Sequence, residues 1–517
     1  MNNIFKKSAA FILMLIILIP SLPVSAASLS EEPYSGYSYN VWGRSVPAPS
    51  GYKPKAVYYL EDLGTTPLKE AKDLFVYNNK LYIVDTGNSR IVVLDDQYKF
   101  VREYIKFINT LDKNKELTLK NPCGLFIKDD TMFIADTGNG RVLVSDLNGN
   151  VNNIIGKPTG DVIPAGFSYE PLKVIQDNSG YVYVVANNVN KGLITFEPNG
   201  NFAGYYGSNK VQVDFFTLTK IFWSNLLRLI SPDLVTSLPK IVPTEITNMC
   251  IDSKNFIYTV TKGNSSPYIQ PVGKLQMINP SGINILRYNQ RDADASGGAI
   301  YSKNRYGDVE YDQYRGILVD SVVIDVQTDE DGIISILDRE RGRVFQYDKE
   351  SNFLFVFGEK GSQKGTFAIP SALEKMGEDY IVLDESKNNL TVFEPTQYVK
   401  TVKKAMSLYS EGLYKDAVEP WQQVLEIDSN NILAYRSIGK AKLQENKFDE
   451  ALFYLKLGQD RDAYTIAFRE YRKEFLQKYF TYIMIISVVI IFILNYLLKL
   501  LQKKLGIEKV KTKITFN

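Results

Sequence analysis

The chain has 517 residues, and its 60 lysines and arginines nearly balance 58 aspartates and glutamates, so it lacks the strongly basic footprint of a nucleic-acid binder. Histidine is absent, which excludes Ser-His-Asp, Cys-His and His-zinc chemistry. The only two cysteines, Cys123 and Cys250, stand in apolar strand-like runs of different repeats, a placement that argues against a disulfide even in an oxidising compartment.

Residues 1–26 read as a signal peptide. Two lysines, Lys6 and Lys7, precede an apolar run from Ala9 to Ile19 that is short for a bilayer span, and the small residues Val24-Ser25-Ala26-Ala27 fit cleavage after Ala26. Residues 27–54 form an extended, Tyr- and Pro-containing lead. From 55 to 397 the chain repeats itself. Leu81-Tyr-Ile-Val-Asp-Thr-Gly-Asn-Ser-Arg90 returns as Met132-Phe-Ile-Ala-Asp-Thr-Gly-Asn-Gly-Arg141, and Asp85, Asp136 and Asn187 stand at equal steps. Weaker copies lie at Phe256 to Ile278, Ile333 to Tyr347 with Asp338 and Arg343, and Tyr380 to Phe393. Each unit holds short runs of β-formers separated by Gly, Asn and Asp, the pattern of small antiparallel strands, and six such units predict a β-propeller.

The rhythm breaks at 211–242. There Phe215, Phe222, Trp223, Leu226 and Leu229 recur at spacings of three and four, which predicts a helix inserted outside the blades, ending at Ser231-Pro232. Past the last blade the period becomes 34: Ala405, Gly412, Tyr414, Ala417 and Trp421 recur as Gly439, Asn446, Phe448, Ala451 and Leu455. Helix pairs with small residues at their crossings are expected over 398–465, and a linking helix over 466–478. Residues 479–498 carry no charge and are apolar on every face, which predicts a membrane span. The lysine-rich tail, 499–517, favours the cytoplasmic side and leaves the bulk of the chain outside.

The Asp-Thr-Gly-Asn-x-Arg motif resembles the NHL repeat, from about Lys55 to Thr401, and the 34-residue units resemble tetratricopeptide repeats. The whole order is similar to bacterial NHL-repeat membrane proteins associated with carbohydrate ABC-transport systems. The fold class expected is thus multidomain: an all-β NHL-type six-bladed propeller, a tetratricopeptide pair and one C-terminal transmembrane helix. The resemblance implies an extracytoplasmic interaction or ligand-binding scaffold with envelope proteins, among them sugar-transporter components, as partners.

Two kinds of site follow. Arg90, Arg141 and Arg343 occupy equivalent blade positions, where they either form a basic ring for an anionic ligand or brace their own turns against the adjacent aspartates. Phe222, Trp223 and Leu226 of the inserted helix either pack on the protein or dock a partner or lipid surface, with Lys220 and Arg228 beside them. The alternative, enzymatic reading rests on likeness to gluconolactonase-type propellers, whose axial divalent metal, calcium or zinc, is held by oxygen ligands. Glu70, Glu170, Glu245 and Asp320, each at the entry to an inner strand, would then supply the ligands.

Overall fold

The computed structural model describes residues 33–40, 44–160, 163–164, 166–207, 245–261, 274–286, 306–312 and 317–505. The segments expected to form a signal peptide, 1–26, and an inserted helix, 211–242, and the tail beyond 505 lie outside them.

Alternating apolar side chains write antiparallel strands, and Asx turns join many of them. Asp95, Asp146, Asp177, Asp252, Asn279 and Asp348 each accept N–H bonds from the residues two and four positions on, at 2.8–3.1 Å. The residue three positions on takes the left-handed conformation, φ between 60° and 89°, whether it is Tyr98, Gly149 or Asn255. The side-chain oxygen thus supplies the acceptors that the backbone loses in reversing direction.

The resulting sheets are the blades of a six-bladed propeller. Their innermost strands are Asp73–Tyr77, Gly124–Lys128, Pro171–Gln176, Ile246–Ile251, Val323–Thr328 and Pro370–Met376, each packed beside the next, and the last packs beside the first. The ring is closed by the chain's beginning. Strand Tyr52–Tyr59 pairs antiparallel with Asn389–Pro395 and becomes the outermost strand of the sixth sheet, in register from Tyr52 opposite Pro395 to Tyr59 opposite Asn389. The second blade is broader, because the hairpin of Lys106–Asn109 and Lys115–Thr118 adds two strands to its outer edge.

The core lies between blade faces. Leu74, Ile83 and Val92 of the first blade meet Ile381, Leu383 and Val392 of the sixth, and Val84, Ile91 and Val93 meet Leu125, Ile134 and Leu143 of the second. All are at most 2% exposed, and each such side chain contributes about 1.5–3 kcal/mol on burial.

Five helices follow: α1 (Gln397–Ser410), α2 (Tyr414–Ile427), α3 (Ile432–Gln444), α4 (Phe448–Leu457) and α5 (Arg461–Lys504). The 34-residue repeat is visible in detail. The α1–α2 and α3–α4 turns place Gly412 and Asn446 in the left-handed region, φ 81° and 59°. Helices α3 and α4 cross at Gly439, where a Cβ would stand 2.6 Å from Leu455 Cγ. Asn431 and Asp460 cap α3 and α5 by accepting the amides of Ala434 and Ala463. Helix α5 runs unbroken for 44 residues, about 66 Å at 1.5 Å per residue, and among the described residues it is the one helix long and apolar enough to cross a membrane.

Candidate functional site

The motif aspartates sit at the blade corners and are fully buried. Asp85 accepts the Lys69 amide (2.8 Å), Asn88 Nδ2 (2.8 Å) and Arg90 Nε (2.7 Å). Asp136 repeats the set with Lys120, Asn139 and Arg141 at 2.7–2.8 Å. The motif threonines reach the next blade: Thr86 Oγ1 donates to Pro122 O (2.7 Å) and Thr137 Oγ1 to Pro171 O (2.6 Å). Each motif therefore ties its own turn, the loop entering its blade, and the following blade.

The three candidate arginines are engaged within the chain. Arg90, with a side chain 5% exposed, donates to Asp85, Glu103 (2.6 Å), Thr65 and the Thr66 carbonyl. Arg141 pairs with Asp136 and reaches Thr118 O at 3.2 Å. Arg343 is used differently: it lies 2.7 Å from Asp308 and 5.5 Å over the Tyr37 ring, while the Tyr37 and Tyr39 hydroxyls also bond Asp308. The N-terminal lead, through hairpin Tyr37–Tyr39 and Ser45–Pro47, is thereby fastened to the fifth blade's neighbourhood. Burial raises the Asp308 carboxyl above its usual range, against the opposing effects of Tyr37 and Arg343.

The four candidate metal ligands stand at the entries to different blades. Glu70 is exposed at a residue with φ 49°, and Glu245 is exposed before its inner strand. Glu170 accepts from Asn187 Nδ2 (2.9 Å) and Ser168 Oγ (3.1 Å). Asp320 ends strand Ile317–Asp320. Among the described residues no group of three or more acidic or cysteine side chains is placed to hold a metal ion. Phe222, Trp223 and Leu226 lie outside the described residues.

What the fold does gather is a set of inner-strand residues that the sequence reading passed over. Asp73 begins its inner strand, and Lys173, Asn248 and Asp325 are each the third residue of theirs; Asp73, Lys173 and Asn248 stand three residues beyond Glu70, Glu170 and Glu245. Lys173 Nζ, from the third blade, bonds Asp73 of the first. The backbone of the third blade's strand runs close to Gly124 of the second, where a Cβ would lie 2.4 Å from Leu172 O. Asp73 also accepts the Leu125 amide of the next blade (2.8 Å), and Asp325 likewise accepts Leu373 N (2.7 Å) and Asn248 Nδ2 (2.8 Å) from the blades on either side. Glu374 bonds Gln327 and accepts the Lys375 amide. These side chains thus link the first, second and third blades to one another, and likewise the fourth, fifth and sixth.

Burial dominates their electrostatics. It pushes the Asp325 carboxyl up to about 6, opposed by Lys173 and aided by Asp73, and the Glu374 carboxyl up to about 8, opposed by the Lys375 amide and Gln327. Asp73 is raised by the same cause against the pull of Lys173. For Lys173 burial disfavours the charge, but Asp73, then Asp325 and Glu374, more than offset it and its ammonium is held above the ordinary range. The legible signal was a charged residue at or near the start of an apolar inner strand, as in Asp73-Leu-Phe-Val or Leu172-Lys-Val-Ile.

Both cysteines are free. Cys123 borders a depression of about 400 Å³ with Asn121, Thr137, Ser168 and Glu170, and burial raises its thiol, which disfavours the nucleophilic thiolate.

No known protein family matches the chain, and no curated protein does. Solved structures do. A streptogramin B lyase shares 8% identity over 66% of this chain and 98% of its own, with a TM-score of 0.37. An inactive virginiamycin B lyase from Staphylococcus aureus with quinupristin shares 8% over 70% and 87%, TM-score 0.36. A protein of unknown function from Bacteroides thetaiotaomicron shares 13% over 67% and 72%, TM-score 0.36.

Proposed function

We propose that this protein is a membrane-anchored, extracytoplasmic scaffold: an NHL-type propeller and a tetratricopeptide pair that bind other envelope proteins, as an accessory to carbohydrate transport or processing. The observation that carries the reading is the use of the propeller's polar groups. The motif arginines Arg90 and Arg141 and the axial Asp73, Lys173 and Asp325 bond to neighbouring loops and blades, so they hold a rigid ring and leave recognition to its outer surfaces. The apolar stretch of α5 supports anchoring, and the lysines that follow it favour a cytoplasmic tail. Association with sugar transport rests on the resemblance of the domain order alone.

Cross-linking in intact membranes, followed by identification of captured proteins, tests this. Enrichment of sugar-permease subunits is expected. A chain recovered without envelope partners overturns the scaffold, and envelope partners unrelated to sugar uptake overturn only the transport assignment. Surface proteolysis tests the orientation: the propeller should be removed from intact cells while a fragment holding Lys503 and Lys504 survives.

A further inference from the structure

Helix α5 is covered only at its start. Ala463 and Ala467 are buried against Ala451 and Leu455 of α4, and no later residue of the helix is buried. From that point large apolar side chains can be followed at intervals of seven, marking one line in the charged stalk and continuing it into a span that is apolar on every face. Phe468, Phe475, Tyr482, Val489 and Tyr496 recur at that interval, with Tyr471, Ile485 and Phe492 in the intervening seam positions. The turn between the first two reads Phe468-Arg-Glu-Tyr471-Arg-Lys-Glu-Phe475, apolar at the seam and charged at every other place. A seven-residue repeat is the pattern of two helices wound about each other.

Depth shows that lipid alone does not account for it. Phe468 lies eleven residues before Tyr479, about 16 Å beyond the apolar core of a membrane at 1.5 Å per residue. The polar layer there is only about 5–7 Å thick. Phe468 and Tyr471 therefore stand in water, 43% and 38% exposed, on the same seam as residues inside the span. Within the helix Phe468 meets only the Tyr464 ring and Arg472, and a helix that leaves the membrane beside this one and continues outward for the same distance would cover the rest.

We propose that the occupant is a second copy of this chain, paired in parallel along Phe468, Tyr471, Phe475, Tyr482 and Val489; this rests on the anchoring reading above. Copies of one chain insert in one orientation, so a two-fold axis along the membrane normal sets each seam residue against its own counterpart at the same depth. The area agrees. Eight seam residues, Phe468 to Tyr496 without Lys478, are 38% to 71% exposed; six are aromatic, at roughly 150–250 Å² each, and full cover of all eight is on the order of 800 Å² per copy, the amount a stable pair needs. In water the aromatics of the stalk drive the pairing, and within the bilayer close packing continues it.

The test is single-cysteine scanning of the full chain in membranes, with Cys123 and Cys250 replaced by Ser. A disulfide needs Cα atoms within about 7 Å, which only facing seam positions provide. Phe468→Cys, Tyr471→Cys and Phe475→Cys should oxidise to a product of twice the chain's mass, several-fold more than Arg469→Cys, Lys473→Cys or Gln477→Cys. Two differently tagged copies should co-purify, and Phe468→Ser with Phe475→Ser should abolish that. Equal cross-linking at all six positions, a maximum off the seam, or a product with a different polypeptide overturns the pairing. Carbonate extraction of the same membranes reports separately on the anchor: release of the chain overturns anchoring, whereas retention without seam-specific dimers overturns the pairing alone.

Discussion

The propeller and helix α5 answer the same problem, the fate of polar and apolar side chains, in opposite ways. In the propeller nearly every informative group is met by the next blade: Thr86 by Pro122, Asp73 by Leu125 and Lys173, Asp325 by Leu373 and Asn248. Along α5 beyond Ala467, the large apolar side chains are bare. A ring whose ends meet can satisfy itself, whereas a single helix cannot cover its own seam. The difference teaches where to look for partners, since a residue already spent inside the ring is unavailable to one outside.

The largest effect tests whether the ring depends on closure. Removing residues 52–59 leaves Asn389–Pro395 as an open edge of the sixth sheet and takes away the strand pairing that joins the propeller's two ends. The whole propeller stability, about 5–15 kcal/mol for a domain, is at stake. Loss of cooperative thermal unfolding in the full-length protein is the expected outcome, and an unchanged transition would show that six blades hold without the clasp.

Next come the arginines, where the comparison sharpens within the ring itself. Arg90→Ala leaves Asp85, which is 0% exposed, without its cation, a loss of about 3–5 kcal/mol. Arg141→Ala should cost less, about 1–3 kcal/mol, because the Arg141 side chain is 19% exposed and water replaces part of the interaction. Denaturant midpoints of the two variants decide this. Equal losses would mean that burial does not set the difference between the two corners.

These residues also show what was legible in the sequence. The Asp-Thr-Gly-Asn-x-Arg spacing carried the blade corners, and the paired aspartate already offered the bracing role that Arg90 and Arg141 have. At Arg343 the spacing tells only part: Asp338 is opposite it in the strand register and bonds Arg341, and Arg343 also reaches Asp308 and Tyr37. That contact depends on the N-terminal hairpin, more than 250 residues away in sequence, and no local pattern encodes it. The axial set was missed for a related reason. Glu70, Glu170 and Glu245 drew notice as carboxylates at strand entries, but a strand's alternation decides which side chain faces the axis, and the set includes a lysine and an asparagine.

The axial set has its own pH signature. Glu374 holds its proton in the folded chain up to about 8, against an ordinary value of 4.5, so the folded state binds a proton that the unfolded state has released between those limits. Its contribution is complete below 4.5 and is lost as pH rises through about 8, by up to about 1.4 kcal/mol per pH unit. Asp325 acts in the same direction from 3.8 to about 6, and Lys173 stays protonated throughout. Unfolding midpoints should therefore fall from pH 6 to pH 8, and Glu374→Gln should flatten that interval while leaving the fall below pH 6. A variant with an unaltered slope would place the proton elsewhere.

The smallest effect asks whether the two helical repeats are equivalent at their turns. Gly412 and Asn446 stand 34 positions apart, both left-handed, so each reverses the chain between the helices of its pair. A Cβ on Gly412 meets no atom within 4 Å, so Gly412→Ala is opposed by backbone conformation alone, at about 1 kcal/mol. Asn446 tolerates this conformation through its short polar side chain, and Asn446→Gly should change stability by only a few tenths of a kcal/mol. Hydrogen exchange on the intact protein separates the two, because 1 kcal/mol corresponds to about a fivefold change in an opening equilibrium. The amides of α1 and α2 should exchange about fivefold faster in Gly412→Ala, while those of α3 and α4 stay near their original rates in Asn446→Gly. Acceleration of α3 and α4 by Asn446→Gly to the same degree would mean that the asparagine does more than permit the turn, and that its side chain holds the second pair together in a way the glycine cannot for the first.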